Sequence, residues 1–321
     1  MLGQEDAAMK VLVTGATGMV GRALMAALTD RPGMTPVAGV RAPGYAGPHL
    51  VLGDLSRQLI LPDAGLPVDA VIHTAARVHQ MTETAADPLA AYHAVNTRAT
   101  LDLARAAVRG GAKRFVFVST IKVNGDGRET PYRPDEPVMP PRDPYGASKY
   151  AAEQGLWALA AETGLEVVVV RPPLVYGPGV GANFARLLRA VDRGVPLPFG
   201  LVNNRRSLVG LQTLTDALLT VLTHSAAAGK TYLVSDGEDV SSAGLVRAMA
   251  QALGRAPRLL PVPPSLMRLA ARLLGKEAQV NRLLGSLTVD LSALRQDCDW
   301  SPPATVAAQL AATVRWYRDQ A

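Results

Sequence analysis

The stretch KVLVTGATGMVG, residues 10–21, carries three local signals in a row. Lys10–Thr14 is a short β-branched run, glycines then mark a turn, and VGRALMAALTD follows with the apolar period of a helix. Strand, turn and helix in that order open a βαβ unit. Gly15, Gly18 and Gly21 recur at every third position across the turn. The first can adopt backbone angles closed to other residues, the second lets a pyrophosphate approach the chain, and the third lets the helix pack closely on the strand. Phosphates would then sit at the positive N-terminus of the helix. A purely structural turn could use the same glycines. The strand before them and the helix after are the context that points to a dinucleotide.

The alternation continues outward. PVAGV (36–40), HLVLGD (49–54) and VDAVIHTAA (68–76) read as strands, followed by a helix over Pro88–Arg109 and the buried strand KRFVFVST (113–120). A helix over Pro144–Thr163 then precedes LEVVVVRPP (165–173). Near-continuous apolar strands separated by helices predict an α/β fold with a doubly wound parallel (Rossmann) sheet covered on both faces. Residues 1–175 are therefore expected to form an NAD(P)-binding domain. After Pro173, Pro and Gly break the rhythm, so residues 176–321 are expected to form a smaller, irregular substrate domain. Part of 205–245, including TYLVSDGEDVS (231–241), could return to the first domain. PPSLMRLAARLLGK (263–276) sets a leucine stripe beside Arg268, Arg272 and Lys276. Such a helix could lie on a membrane surface, but the ordinary expectation is that its leucines pack into the second domain.

The composition narrows the function classes. With 48% hydrophobic and 19% charged residues the chain reads as globular, and no apolar run approaches the ~20 residues of a membrane span. MLGQEDAAMK lacks the apolar core of a secretory signal, so a cytoplasmic protein is expected. One cysteine, Cys298, excludes an internal disulfide, and the five histidines show no metal-binding spacing. The net charge of +6 is spread along the chain with few aromatics among the basic residues, which favours an anionic small substrate over nucleic acid.

Dinucleotide folds discriminate their cofactor about 20 residues beyond the glycines, where an acid grips the ribose 2′-hydroxyl and Arg receives a 2′-phosphate. Here the second strand ends GVRAPG, with Arg41 and no acid in reach. NADP is the expected cofactor, with NAD possible. Tyr145 and Lys149 in PYGASKY lie four residues apart, on one helix face. A neighbouring ammonium would stabilise the phenolate and lower its pKa, making a group able to exchange protons with an alcohol or ketone. An ordinary surface pair would show the same spacing, but the glycine turn in the same chain shifts the balance.

TGATGMVG, GDL (53–55), HTAA (73–76), VN (95–96), VSTIKVNG (118–125), YGASK, RPPLVYGPG and NRRSLV occur in order over most of the chain. In these motifs it resembles the extended short-chain dehydrogenase/reductases that modify nucleotide sugars. The resemblance implies catalytic roles for Thr120, Tyr145 and Lys149. It implies a cofactor lined by Gly15, Gly18, Met19, Val20, Gly21, Arg41, Asp54, Leu55, Thr74, Ala75, Ala76 and Asn96, with Lys149 holding its ribose. Asn183, Phe184 and Arg206 would meet the sugar nucleotide, with Arg282 a weaker candidate for the diphosphate. A homodimer packed through the helices beginning near Pro88 and Pro144 is implied as well.

Departures from the family pattern refine this. Dehydratases of the family carry an Asp-Glu pair directly after the threonine, where this chain has Ile121 and Lys122, so dehydration is not expected. Asn124 and Leu174 replace a tyrosine and an asparagine common in the 4-epimerases. The pattern looks more like the branch containing 4-keto-6-deoxy-N-acetylhexosamine reductases of O-antigen synthesis. The leading expectation is NADPH-dependent reduction at C4 of a UDP-linked keto sugar, and the alternative is a UDP-hexose 4-epimerase that retains NAD. A non-catalytic cofactor sensor on the same fold is a reading of another class. The intact Thr120, Tyr145 and Lys149 weigh against it.

Overall fold

The computed structural model describes residues 8–78, 87–275 and 277–320. Residues 1–7, weighed above as a leader, and Lys276 lie outside them. The strands in chain order are β1 (Met9–Thr14), β2 (Met34–Val40), β3 (His49–Val51), β4 (Ala70–His73) and β5 (Arg114–Val118). They continue as β6 (Glu166–Arg171), β7 (Leu174–Tyr176), β8 (Arg206–Gly210), β9 (Lys230–Leu233) and β10 (Asp239–Val240). Seven form one sheet in the order β3-β2-β1-β4-β5-β6-β9. Every pairing in it is parallel. β7, β8 and β10 form a second, smaller sheet, with β10 antiparallel to β8.

Both faces of the large sheet are buried, which is why its strands lack polar alternation. Val11, Val13, Ile72, Val168 and Val170 join one core with helices α1 (Met19–Thr29) and, later in the chain, Leu211–Thr223. Leu12, Val71, Phe115, Phe117, Val167 and Val169 point the other way, onto the helices of residues 88–109 and 144–163. Each such side chain, fully buried, is worth roughly 1.5–3 kcal/mol. A third core lies in the C-terminal half, where Phe184, Leu208, Met249 and Leu310 meet. β9 (Lys230–Leu233) is drawn from that half of the chain yet pairs in parallel with β6 of the large sheet.

The expected helix over 88–109 is interrupted. It runs as α2 (Pro88–His93), a π turn (Ala94–Arg98) and α3 (Ala99–Arg109). α4 (Pro144–Thr163) begins and ends where its sequence indicates. Asp143 caps it by accepting from Gly146 N, Pro144 occupies the first turn, and Gly164 ends it in the left-handed region. The remaining helices are α5 (Ala182–Asp192), α6 (Leu211–Thr223), α7 (Ser242–Ala252), α8 (Pro264–Leu273), α9 (Glu277–Leu284), α10 (Ser292–Cys298) and α11 (Val306–Asp319).

One expectation fails in this half. The leucine stripe of α8 is not packed inward: Leu266, Leu269 and Leu273 are exposed, and only Met267 and Ala271 reach the core. Among the described residues no helix is long and apolar enough to cross a membrane.

Candidate active site

The strand order reverses beside β1, whose right-hand neighbour is β4 rather than β2's continuation, and ligands of such sheets bind outside the strand ends at that point. A cleft of about 1450 Å³ opens there. Its floor is the glycine turn. Gly15 has φ +69°, and a Cβ on it would lie 2.8 Å from Thr74 Oγ1 and 2.9 Å from Ala75 N. A Cβ on Gly21 would run into the Gly15 carbonyl oxygen and lie 2.7 Å from Ala16 Cα. The N-cap of α1, Gly18, offers no side-chain acceptor, and no acid occupies the first turn. The amides that begin α1 therefore face the cleft without a capping side chain, which suits an anionic group. This cradle fits the pyrophosphate of a dinucleotide.

The walls come from distant parts of the chain. Met19, Val20, Arg41, Asp54, Leu55, Thr74, Ala75 and Ala76 line the end nearer β2, and Thr120, Tyr145, Asn183, Phe184, Arg206 and Arg282 line the other. The Asp54 carboxylate accepts from Ser56 N at 2.9 Å and Ser56 Oγ at 2.8 Å, and these bonds hold its pKa below the usual carboxylate range. Arg206 Nη1 donates to the carbonyls of Arg282 at 2.5 Å and Gly285 at 3.1 Å, so the two arginines are brought together. Phe184 is buried and stacked on Tyr176 at 5.3 Å, while Asn183 accepts from Arg186. Ala182, just before them, has φ +50°, an unusual backbone for a residue with a side chain and one often kept at binding sites.

Thr120 and Tyr145 face the cleft together. Thr120 caps the short 3₁₀ turn Ile121–Val123, its Oγ1 accepting from Lys122 N at 3.3 Å, and its hydroxyl acts to lower the pKa of the Tyr145 phenol. The expected depression of the phenol pKa is not present here. Burial pushes Tyr145 up to about 12, against the Thr120 hydrogen bond, with the Asp143 carboxylate adding to the rise. Lys149 does not line the cleft either. It lies behind Tyr145, fully buried, with Nζ donating to Val118 O at 2.8 Å and resting 4.4 Å from the Phe117 ring centroid. Burial pulls its pKa down to about 7, opposed by the Glu153 carboxylate.

Asn96 is a second correction. It is buried and does not line the cleft; its Oδ1 accepts from Arg77 N at 2.8 Å and its Nδ2 donates to Ser148 Oγ at 2.9 Å. Asn96 therefore ties the segment after β4 to the turn of α4 that carries Tyr145. The π turn makes this possible by also letting Thr97 Oγ1 donate to Ser148 O at 2.8 Å. His73, at the end of β4, is sealed beneath the same segment. Thr100 Oγ1 donates to Asn96 O, so His73 Nε2 donates to Thr100 at 2.9 Å and Nδ1 accepts from Thr14 at 2.7 Å. Burial, with the Lys149 charge, lowers its pKa to about 3 and keeps it neutral.

Several lining residues went unassigned in the sequence. Lys122 faces the cleft beside Thr120 and pairs with Asp126 at 3.0 Å and Asp143 at 3.5 Å. Its place directly after the threonine motif was a usable signal. Gly39 and Ser207 had none, because a glycine within a strand and a serine after two arginines are both ordinary.

The comparisons with known proteins agree with this geometry. Residues 11–235 match the NAD dependent epimerase/dehydratase family. The chain belongs to that family. A protein of Vibrio cholerae named UDP-glucose 4-epimerase is 43% identical over 304 residues, covering 92% of each chain. GDP-6-deoxy-D-mannose reductase of Pseudomonas aeruginosa is 29% identical over 316 residues, covering 94% of this chain and 95% of that one. The solved structure of MoeE5 in complex with UDP-glucose and NAD superposes with a TM-score of 0.74 at 26% identity, covering 97% of this chain and 99% of that one. The protein is thus an enzyme of the epimerase/dehydratase family, with UDP-glucose 4-epimerase-like relatives.

Proposed function

We propose that the enzyme carries out hydride transfer at C4 of a UDP-activated hexose, and in its leading form the reduction of a UDP-4-keto-6-deoxy-N-acetylhexosamine. The observation that carries the reaction type is the Thr120–Tyr145 pair opening onto the cleft whose floor is the glycine turn. The turn and the uncapped start of α1 would hold the pyrophosphate, and Arg41 would receive a 2′-phosphate. When bound, the nicotinamide supplies the hydride. Thr120 orients the 4-keto oxygen by hydrogen bonding, and Tyr145 donates the proton to that oxygen. Lys149, behind Tyr145, supplies the positive charge that stabilises the phenolate left behind. Arg206 and Arg282 would meet the diphosphate.

Two features favour reduction. Arg41 is exposed on the cleft wall at the end of β2, as an exchangeable NADPH would require. Tyr145, with its pKa pushed up to about 12, is protonated at neutral pH and so begins as a proton donor. The second reading, 4-epimerisation with retained NAD, is favoured by the 43% identity to the Vibrio cholerae protein. It uses the same residues but must start with Tyr145 as a base. The reactions separate when enzyme and NADPH are mixed with enzymatically generated UDP-4-keto-6-deoxy-GlcNAc, with UDP-GlcNAc and UDP-glucose as parallel substrates. Stoichiometric loss of NADPH absorbance with the keto sugar supports reduction. No loss, with interconversion of C4 epimers without added cofactor, makes the enzyme an epimerase. A homodimer through α2 and α4 is part of the same proposal and is testable by light scattering.

A further inference from the structure

α8 has the wrong surface for a helix that ends its interactions within the protein. Met267 packs against the C-terminal core, Ala271 on the same side is buried, and the helix packs on α9. At the helical advance of about 100° per residue, Leu269 then falls opposite the anchored side. Leu266 and Leu273 lie to one side of Leu269, and Arg268 and Arg272 to the other. The exposures agree: Leu266 is 55% exposed, Leu269 54%, Leu273 81% and the following Leu274 69%. Leu260 before the helix and Leu283 on α9 are exposed as well. A surface helix that keeps leucines outward beside arginines is built for an interface between apolar and anionic material.

We propose that α8 docks the enzyme on an anionic lipid bilayer surface, with Leu266, Leu269 and Leu273 entering the headgroup region and Arg268 and Arg272 meeting lipid phosphates. Charge decides between a bilayer and a second copy of the chain. Between residues 255 and 284 the sequence holds six basic residues against a single acid, Glu277; Arg282 lines the cleft and Arg255 pairs with Asp192 at 2.9 Å, while Arg258, Arg268 and Arg272 are exposed. Glu277 already pairs with Arg272 at 3.0 Å. A two-fold contact centred on α8 would set this basic surface against itself, which is unfavourable. An anionic bilayer complements it, and each arginine near such a surface is worth about fivefold in affinity. The proposal does not depend on which sugar reacts, because docking requires no turnover.

Flotation of the full chain with vesicles tests it, using phosphatidylcholine alone and phosphatidylcholine with about one third phosphatidylglycerol. The expected result is flotation with the anionic vesicles alone, lost when salt rises from about 50 to about 500 mM. Leu269→Asp/Leu273→Asp should reduce binding at least tenfold, and Arg268→Glu/Arg272→Glu by a similar factor. Both pairs lie outside the cleft, so melting temperature and NADPH binding should match the unmodified protein. Cys298 is buried, so Leu269→Cys can carry a single environment-sensitive fluorophore even if the aspartate variants fail to fold. A blue shift on adding anionic vesicles supports docking. No flotation with anionic vesicles, or no blue shift, overturns the proposal. So does loss of a dimer in the aspartate pair without any vesicle binding, which would assign α8 to self-association.

Discussion

Glu153 sits two turns beyond Tyr145 on α4 and one turn beyond Lys149, so the three share a face. Its carboxylate is fully buried. Oε1 accepts from Ser119 Oγ at 2.5 Å and Arg171 Nε at 3.0 Å, and Oε2 accepts from Arg171 Nη2 at 2.6 Å. The paired side chains are 0% and 6% exposed. Replacing Glu153 by Ala leaves the Arg171 guanidinium buried with Asn124 Oδ1, at 3.1 Å, as its remaining side-chain partner among the described residues. Removing one member of a buried pair costs about 3–5 kcal/mol, because the other charge stays desolvated. Urea unfolding followed by tryptophan fluorescence should show a loss of that size. Replacing both members with methionine, as Glu153→Met/Arg171→Met, should recover most of it, since an apolar pair carries no desolvation cost. A second readout separates packing from electrostatics: Glu153 raises the pKa of Lys149, so its removal should move the Lys149 ionisation below about 7 and shift the pH profile of kcat to lower pH. A single variant that loses less than about 1 kcal/mol, or a double variant no better than Glu153→Ala, would refute this account.

Tyr145→Phe should abolish turnover while leaving cofactor binding largely intact; surviving activity would mean another group donates the proton. Arg41→Asp should weaken NADPH binding and improve NADH binding, and an unchanged preference in fluorescence titrations would remove the reason for assigning NADP. Gly21→Ala places a methyl group against backbone at Gly15 and Ala16, so a loss of about 1–3 kcal/mol in stability and of NADPH binding is expected in titration and urea unfolding. His73 is held neutral with its pKa near 3 against 6.5 in the unfolded chain. Below pH 6.5 the unfolded chain therefore binds the extra proton, and stability falls by about 1.4 kcal/mol per pH unit as pH drops toward 3. Urea unfolding at about pH 7 and about pH 5 should differ by about 2 kcal/mol more in the unmodified protein than in His73→Asn.

Features set by near neighbours were legible in the sequence. α4 runs over the expected residues because Asp143, Pro144 and Gly164 act on backbone groups within a few positions. The glycine turn was legible for the same reason, and β1, α1 and β2 declare themselves by apolar period. The π turn at 94–98 was not. It depends on Asn96 and Thr97 reaching Ser148, which lies some fifty positions away in the chain.

The candidate site divides along the same line. The sequence by itself determined that the strand ends gather at one edge, because a parallel βαβ order delivers every strand end there. Only the tertiary structure decided which way each side chain looks and how deeply it is buried. Lys149 and Asn96 turned out to stand behind the cleft, and Tyr145 carries a raised pKa where an adjacent ammonium alone argued for a lowered one. Periodicity marked α8 as amphipathic, but its leucines face solvent. An amphipathic pattern states that a helix has two faces; which of them meets the core depends on packing partners that lie far along the chain.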